Sequence, residues 1–409
     1  MNSTVSKQSR SRKIIVVGAS AASIGFISKL RSFDALAEVI CFSGEANLPY
    51  NRCLLADVVQ QDRCFDDIAL KAENFYQEHS IDLRLNSWVT QINPEQKTVV
   101  CNNQEESYDY LFLGIGTKAY IPEIVGTDLP GVFGFHTFAD VDHLDTFLHD
   151  QHPKTAIVVG AGINGIEAVS SLVSRGIKVA VVDLYDQIMP LQLDRKAAQF
   201  VENLMKDAGV TILKGQKVSG LYTRGKARVG KVQFASGAFV TTDCVILATG
   251  SRVNSPLIEQ AGLATKHGYV LVDDTMKTSD PSIYAGGDIC MAKDLVSHEI
   301  VKSATWADAM LQGLTAATQL SDKPRLYPGI VGMRDSQFFG LEFYACGQTT
   351  DVEMFEVIEY HKKDYLHKFY LFDGQLKGFV LIGNVENLAK YRTLYVTKQV
   401  VDEYDFMIE

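Results

Sequence analysis

At 409 residues the chain is long for one ordinary domain and predicts about two or three. Its 46% apolar and 22% charged residues, with 31 Gly and 10 Pro, make a globular composition, which excludes collagen-like, fibrous and wholly disordered architectures. Lys and Arg total 39 against 49 Asp and Glu, a net charge of −10, and this lacks the basic footprint that nucleic acid or an anionic membrane surface demands.

Taken in chain order, the first thirteen residues carry Lys7, Arg10, Arg12 and Lys13 among serines with no hydrophobic segment. They read as a disordered tail rather than a secretory leader. No later apolar run reaches the roughly 18 residues of a membrane span. The seven cysteines (Cys41, Cys53, Cys64, Cys101, Cys244, Cys290 and Cys346) are odd in number and form no C-x-x-C pair. The expectation is a reduced, cytoplasmic chain without structural zinc, and with no metal site at all.

One pattern occurs twice. Lys13-Ile14-Ile15-Val16-Val17 runs into Gly18-Ala19-Ser20-Ala21-Ala22-Ser23, and Ala156-Ile157-Val158-Val159 runs into Gly160-Ala161-Gly162-Ile163-Asn164-Gly165. Each is a buried-strand run, a turn of small residues, then a helical pattern (Ile24 to Leu30; Ile166 to Val173) and a second apolar strand (Val39 to Phe42; Lys178 to Val182). That is the strand–helix–strand signature of two nucleotide-binding units.

In the second unit Gly160 permits the tight turn and Gly162 lets backbone approach a pyrophosphate. Gly165 lets the helix lie close to its strand with its amino end toward the phosphates. Asp183 closes the second strand where a carboxylate accepts both ribose hydroxyls. Leu184 and Tyr185 follow it, so nothing basic compensates a 2′-phosphate, and NADH is favoured over NADPH. The first turn is degenerate: Ser20 and Ser23 stand in place of glycines, and the acid after its second strand, Glu45, comes one position late. Further on, Thr278 to Asp288 is an extended run ending in Ala285-Gly286-Gly287-Asp288, which offers a carboxylate to a polyol.

Other features carry less. His149-Asp150-Gln151-His152 reads as a solvated polar linker, and Tyr222 to Arg228, a basic run that includes Lys226 and Ala227, as a solvated hairpin. Phe355 to Tyr360, Tyr365 to Phe372 and Lys377 to Ile382 are strand-like, with a helix-like tail after Asn384.

The combination resembles the pyridine nucleotide–disulfide reductase superfamily. Its marks here are the first strand–turn–helix with Gly18, Ser20 and Ala22 for FAD, and the Gly160-x-Gly162-x-x-Gly165-x-Glu167 turn for NADH. To these are added Leu113-Gly114-Ile115-Gly116-Thr117, Leu247-Ala248-Thr249-Gly250, and the Ile283 to Asp288 segment for the FAD ribityl chain. The resemblance implies an α/β fold with two Rossmann-like dinucleotide-binding domains, the second inserted in the first, plus a C-terminal α+β interface domain. The expected boundaries are an FAD-binding domain at 1–145 and 276–322, an NADH-binding domain at 146–275, and the C-terminal domain at 323–409.

Within the superfamily, Leu48 to Leu55, Asp66-Asp67-Ile68 with Phe75-Tyr76-x-Glu78, and Ala304-Thr305-Trp306-Ala307 with Gly313 look like the flavin portion of NADH-dependent nitrite reductases and the rubredoxin reductases. The resemblance adds Glu45, Arg52, Gly116, Asp288, Trp306 and Gly250 to the cofactor-binding set, and Glu167 near the nicotinamide–flavin contact. Glu167 is equally a helix-start acid favoured by the dipole. Cys53 aligns with the single redox cysteine of NADH oxidases, NADH peroxidases and coenzyme A disulfide reductases, or is a small apolar residue. Ala21 stands where peroxidases carry His, and Asp57 where glutathione-reductase relatives carry their second cysteine and oxygenase-coupled ferredoxin reductases usually carry Lys.

The resemblance therefore implies an FAD-dependent oxidoreductase taking hydride from NADH and reducing a small rubredoxin-like or iron–sulfur electron carrier, with room for a homodimer. Two alternatives stay open: a Cys53-dependent coenzyme A disulfide, persulfide or oxygen reductase, and an NADH-responsive signalling flavoprotein.

Overall fold

Short Val- and Ile-rich runs, apolar on both faces, build two parallel sheets, because only a strand covered on both sides buries so continuous a hydrophobic stretch. The structure is a computed structural model and describes residues 11–225, 228–253, 255–303 and 305–406. Lys7 and Arg10 of the expected tail, Lys226 and Ala227 of the basic hairpin, and Ala304 ahead of Trp306 lie outside the described residues. The chain divides into two units, one made of Met1–Asn51, Ala69–Thr117 and Val253–Ile330, the other of Arg52–Ile68, Lys118–Arg252 and Val331–Glu409. The second of these units groups the C-terminal residues with the second turn.

In the first unit the sheet order is Ile283–Ala285, Tyr110–Leu113, Lys13–Val17, Glu38–Phe42, Ile81–Arg84, parallel throughout. Helix Ala21–Arg31 returns across it and packs on helix Trp306–Thr318. Two glycines set their closeness: a Cβ on Gly25 would stand 2.6 Å from the Met310 carbonyl oxygen, and one on Gly313 only 1.8 Å from that of Ala22. The core is Ile14, Ile15, Val16, Phe26, Phe112 and Ile283, all essentially inaccessible. The unit also holds a three-stranded antiparallel meander, Val89–Asn93, Thr98–Cys101 and Gln104–Ser107, and a four-stranded sheet of Thr265–Lys266, Tyr269–Leu271, Cys290–Lys293 and Ile300–Lys302.

The tail expectation fails at its end. Arg12 forms an ion pair with Asp34 and donates to the Leu320 carbonyl at 2.7 Å, while Lys13 opens the first strand and pairs with Glu106 at 2.9 Å. A serine-rich composition hides partners that lie up to three hundred residues away.

In the second unit the parallel order is Thr211–Leu213, Lys178–Val182, Thr155–Val159, Cys244–Leu247, Val132–Gly134. The His149 to His152 segment, expected as a polar linker, is instead the end of helix Phe138–Gln151, which is started by a Thr137–Asp140 capping box. It buries Val141, Leu144 and Leu148 at helical spacing and places His149 in its last turn, with His152 as its left-handed cap. A narrow apolar stripe on an acidic helix is easily mistaken for a loop. The basic run does fall at a hairpin, between antiparallel strands Val218–Thr223 and Val229–Phe234.

The C-terminal residues form an antiparallel sheet ordered Arg334–Phe338, Leu341–Gly347, Gln375–Ile382, Leu366–Phe372, Glu356–His361, then helix Leu388–Thr397. The last three strands follow the sequence pattern, whereas Arg334–Phe338 and Leu341–Gly347 lie outside it. Lys368, 1% exposed, is held by Asp194 and by Glu359 at 3.5 Å, a buried charge kept in place by paired carboxylates.

Candidate functional site

In the first unit the carboxyl ends of three parallel strands converge. The Gly114 N–H donates to the Val17 carbonyl at 2.9 Å, and that of Gly286 to Leu113 at 3.0 Å. Gly18, at φ +87°, has Gly114 so near that a Cβ would meet its oxygen at 2.6 Å. Ser23 occupies the place of the third glycine: fully buried, its hydroxyl donates to the Gly18 carbonyl at 2.5 Å and so turns a steric problem into a hydrogen bond. Ser20 is the helix N-cap but makes no capping bond with its side chain, which leaves the first helical N–H groups for a ligand.

Ala22, also buried, faces Gly286 and Gly287. The Gly287 N–H donates at 2.7 Å to Gln312, whose amide in turn reaches Ser303 at 2.9 Å. This buried chain fixes the turn that presents Asp288. Trp306, 38% exposed, begins the helix capped by Thr305. Gly116, at φ +59°, has nothing within 4 Å of where its Cβ would stand. Glu45 lies in the loop after strand Glu38–Phe42 and accepts from the Tyr50 hydroxyl at 2.7 Å. Gly18, Ser20, Ala22, Glu45, Gly116, Asp288 and Trp306 thus share this unit. Arg52 and Cys53 do not: they sit in the other, on the single turn Arg52–Leu54, where Arg52 donates to the His136 carbonyl at 2.8 Å and Cys53 is exposed.

The second unit repeats the arrangement with its glycines intact. A Cβ on Gly160 (φ +106°) would stand 2.3 Å from the Ala248 oxygen, and one on Gly165 2.0 Å from the Gly160 oxygen. Gly162 is different. It is the N-cap of helix Ile163–Ser174, and nothing lies within 4 Å of its absent Cβ. Packing therefore requires Gly160 and Gly165, whereas Gly162 opens onto free space beside helix N–H groups that no side chain caps. Asp183 is tied back to this turn, accepting from the Ala161 N–H at 2.5 Å and the Tyr185 N–H at 2.9 Å. Gly250, at φ +99° and equally open, follows strand Cys244–Leu247.

Glu167 stands on the same helix as that turn. Its carboxylate accepts from the Ser336 hydroxyl at 2.6 Å. Burial pushes its pKa up to about 7, the Ser336 bond opposes that rise, and the charges of Asp335 and Asp57 add to it. Ser336 and Asp335 escape sequence reading because a polar Arg-Asp-Ser-Gln run neither announces a strand nor signals what it packs against. Among the described residues no group of three or more His, Cys, Asp or Glu is placed to hold a metal ion, and no helix is long and apolar enough to cross a membrane.

Two parallel sheets, each with a strand–turn–helix whose helix start is bare of side-chain caps, define a protein built around two dinucleotides. Residues 12–313 match the family model described as pyridine nucleotide-disulphide oxidoreductase, and the chain belongs to that family. It is 28% identical over 406 residues to the assimilatory nitrate reductase electron transfer subunit of Bacillus subtilis, covering 96% of this chain and 51% of that protein. It is 29% identical to the rubredoxin-NAD(+) reductase of Pseudomonas putida over 78% of this chain and 84% of that one. Among solved structures, reduced Bacillus anthracis CoADR-RHD superposes with a TM-score of 0.87 at 26% identity, covering 96% of this chain and 75% of that one. The chain spans about half the length of the nitrate reductase subunit it matches.

Proposed function

We propose that this chain is an FAD-dependent oxidoreductase that takes hydride from NADH and delivers electrons to a small electron-carrier protein, rubredoxin-like or iron–sulfur. The observation that carries the reading is the pairing of two bare helix starts in one chain, one with an acid tied to its turn by a 2.5 Å bond from Ala161 to Asp183. FAD belongs to the first turn, held by Gly18, Ser20, Ala22, Glu45, Gly116, Asp288 and Trp306. NADH belongs to the second, held by Gly160, Gly162, Gly165, Asp183 and Gly250. When bound, the flavin supplies the two-electron chemistry that a side chain cannot.

The chain's own part is positional and electrostatic. The uncapped N–H groups ahead of Ile163 bind pyrophosphate oxygens, and Asp183 accepts from the ribose hydroxyls. Leu184 and Tyr185, both 62% exposed, bring no positive charge for a 2′-phosphate, which selects NADH. Glu167 would lie toward the nicotinamide, where its carboxylate would stabilise positive charge on that ring. Five of the seven cysteines are buried, which suits a reduced cytoplasmic compartment.

The test is flavin analysis of the purified protein, anaerobic reduction by NADH and by NADPH, then turnover with rubredoxin, ferredoxin, coenzyme A disulfide, polysulfide and oxygen. Flavin loss, or reduction that prefers NADPH, contradicts the reading. One observation favours a second reading: Cys53 is exposed on its short turn, accessible to a disulfide or persulfide. Cys53→Ser separates the two, sparing electron delivery to a carrier protein in the first and abolishing disulfide turnover in the second.

A further inference from the structure

Glu167 is enclosed by elements from three distant parts of the sequence. Its own helix, Ile163–Ser174, carries no other charged side chain. Helix Leu55–Gln60 packs along it, with the Ser171 hydroxyl donating to the Ala56 carbonyl at 3.2 Å, and contributes one charge, Asp57, itself paired with Arg63 at 2.9 Å. Strand Arg334–Phe338 packs along it too, fastened by the Phe339 N–H donating to Ser170 at 2.8 Å and by the Ser336–Glu167 bond at 2.6 Å. That strand brings Asp335, and Arg334, whose charge acts on Asp335. Of the parallel strands beneath, Thr155–Val159 has no charged residue and Lys178–Val182 only Lys178, exposed at its amino end.

The two neighbours on the strand act in opposite senses. The Ser336 hydroxyl donates to the carboxylate and favours its charged form, whereas the negative charge of Asp335 disfavours it. Neither is balanced by a cation acting directly on Glu167, since burial and like charges oppose ionisation and only the hydroxyl assists it. Asp335 is exposed on its strand and Arg334 acts on it as an opposite charge, so solvent and Arg334 both weaken the push that Asp335 exerts on Glu167, and of the two neighbours Ser336, in direct hydrogen bond, has the larger hold.

We propose that Asp335 and Ser336 are positioning residues that set when Glu167 carries its charge, and thereby set the pH range in which NADH gives up its hydride to this protein. The inference rests on the reading of Glu167 as the group facing the nicotinamide. A neutral Glu167 offers nothing to the developing positive charge and an ionised one does, so NADH-driven flavin reduction rises with pH as Glu167 loses its proton.

The experiment uses the FAD-loaded protein and two readouts: stopped-flow reduction by NADH across pH 5.5 to 9, and the titration of the Glu167 carboxyl by 13C NMR, assigned with Glu167→Gln. Asp335→Asn is expected to move both midpoints down and Ser336→Ala to move both up, each by roughly one pH unit or less. Asp335→Glu and Ser336→Thr restore the wild-type midpoints, and Glu167→Gln flattens the rate profile. Midpoints of the carboxyl titration that stay put, or shift in the same direction in both variants, overturn the proposal while leaving NADH reduction of the wild type intact. Carboxyl midpoints that split as expected beside an unmoved rate profile overturn the placement of Glu167 by the nicotinamide, and the proposal with it.

Discussion

The two strand–turn–helix segments solve one steric problem by different means. In the second, a helix start passes so close to its strand that Gly165 leaves no room for a Cβ, 2.0 Å from the Gly160 oxygen. In the first, the corresponding place holds Ser23, whose hydroxyl reaches that same kind of carbonyl, on Gly18, and bonds to it. The tightest approach has moved elsewhere, to Gly313, where a neighbouring helix meets the Ala22 carbonyl. A glycine fingerprint thus records where backbones touch, and a fold is free to shift the touching point. The incomplete pattern around Gly18 is a different packing of the same architecture.

The comparison breaks most sharply at the contact glycines. Gly313→Ala and Gly165→Ala each place a Cβ on a carbonyl oxygen, at 1.8 and 2.0 Å, so the backbone must move. A destabilisation of about 1–3 kcal/mol is expected for each, read as a fall in Tm. Gly313→Ala should also reduce flavin retention and Gly165→Ala the affinity for NADH, and an unchanged Tm in either would contradict the packing argument. Gly162→Ala separates ligand from packing: the new methyl meets nothing in the protein, so the loss of stability should be only the roughly 0.5–1 kcal/mol by which Ala is a poorer N-cap than Gly. NADH binding should nonetheless weaken about tenfold or more, close to 1.4 kcal/mol. Equal losses of stability and affinity would show that Gly162 is structural.

Asp183→Asn should cost roughly 1.5–3 kcal/mol of NADH binding, since it removes a charged acceptor, and should narrow the preference over NADPH. Isothermal titration with both nucleotides measures it. The smallest effect is expected at Ser23→Ala, about 1 kcal/mol of stability from one lost buried hydrogen bond to Gly18, with NADH binding untouched. Were Ser23→Gly more stable than the wild type, the hydroxyl would not be the substitute for the missing glycine.

Much of this fold is legible in the residues alone. The apolar runs at 13–17, 39–42, 156–159 and 178–182 announce parallel strands, and the small residues after Val17 and Val159 announce their turns, because strand burial and helix–strand closeness are written locally. The strand Arg334–Phe338 carries no such signal, nor does the helix Phe138–Gln151 behind its histidines, and the apolar run Phe343 to Cys346 within Leu341–Gly347 is too short to tell strand from helix. In Arg334–Phe338 and Phe138–Gln151 polar residues outnumber the apolar ones that would mark a period, and each packs on a helix distant in the chain, Ile163–Ser174 and Leu55–Gln60 respectively. Arg12 and Lys13 look like tail residues for the same reason, their carboxylates being at Asp34 and Glu106.

The family, both turns, the acid at position 183 and the absence of a basic residue after it can all be read along the chain, since each depends on residues a few positions apart. The tertiary structure alone decided that Ser23 bonds to Gly18, that Gly162 is open where Gly160 and Gly165 are crowded, and that Glu167 meets Ser336 and Asp335. Those facts depend on which surfaces are brought together after folding. Burial and charge act through space, and no spacing along a chain records the distance between residues 167 and 336.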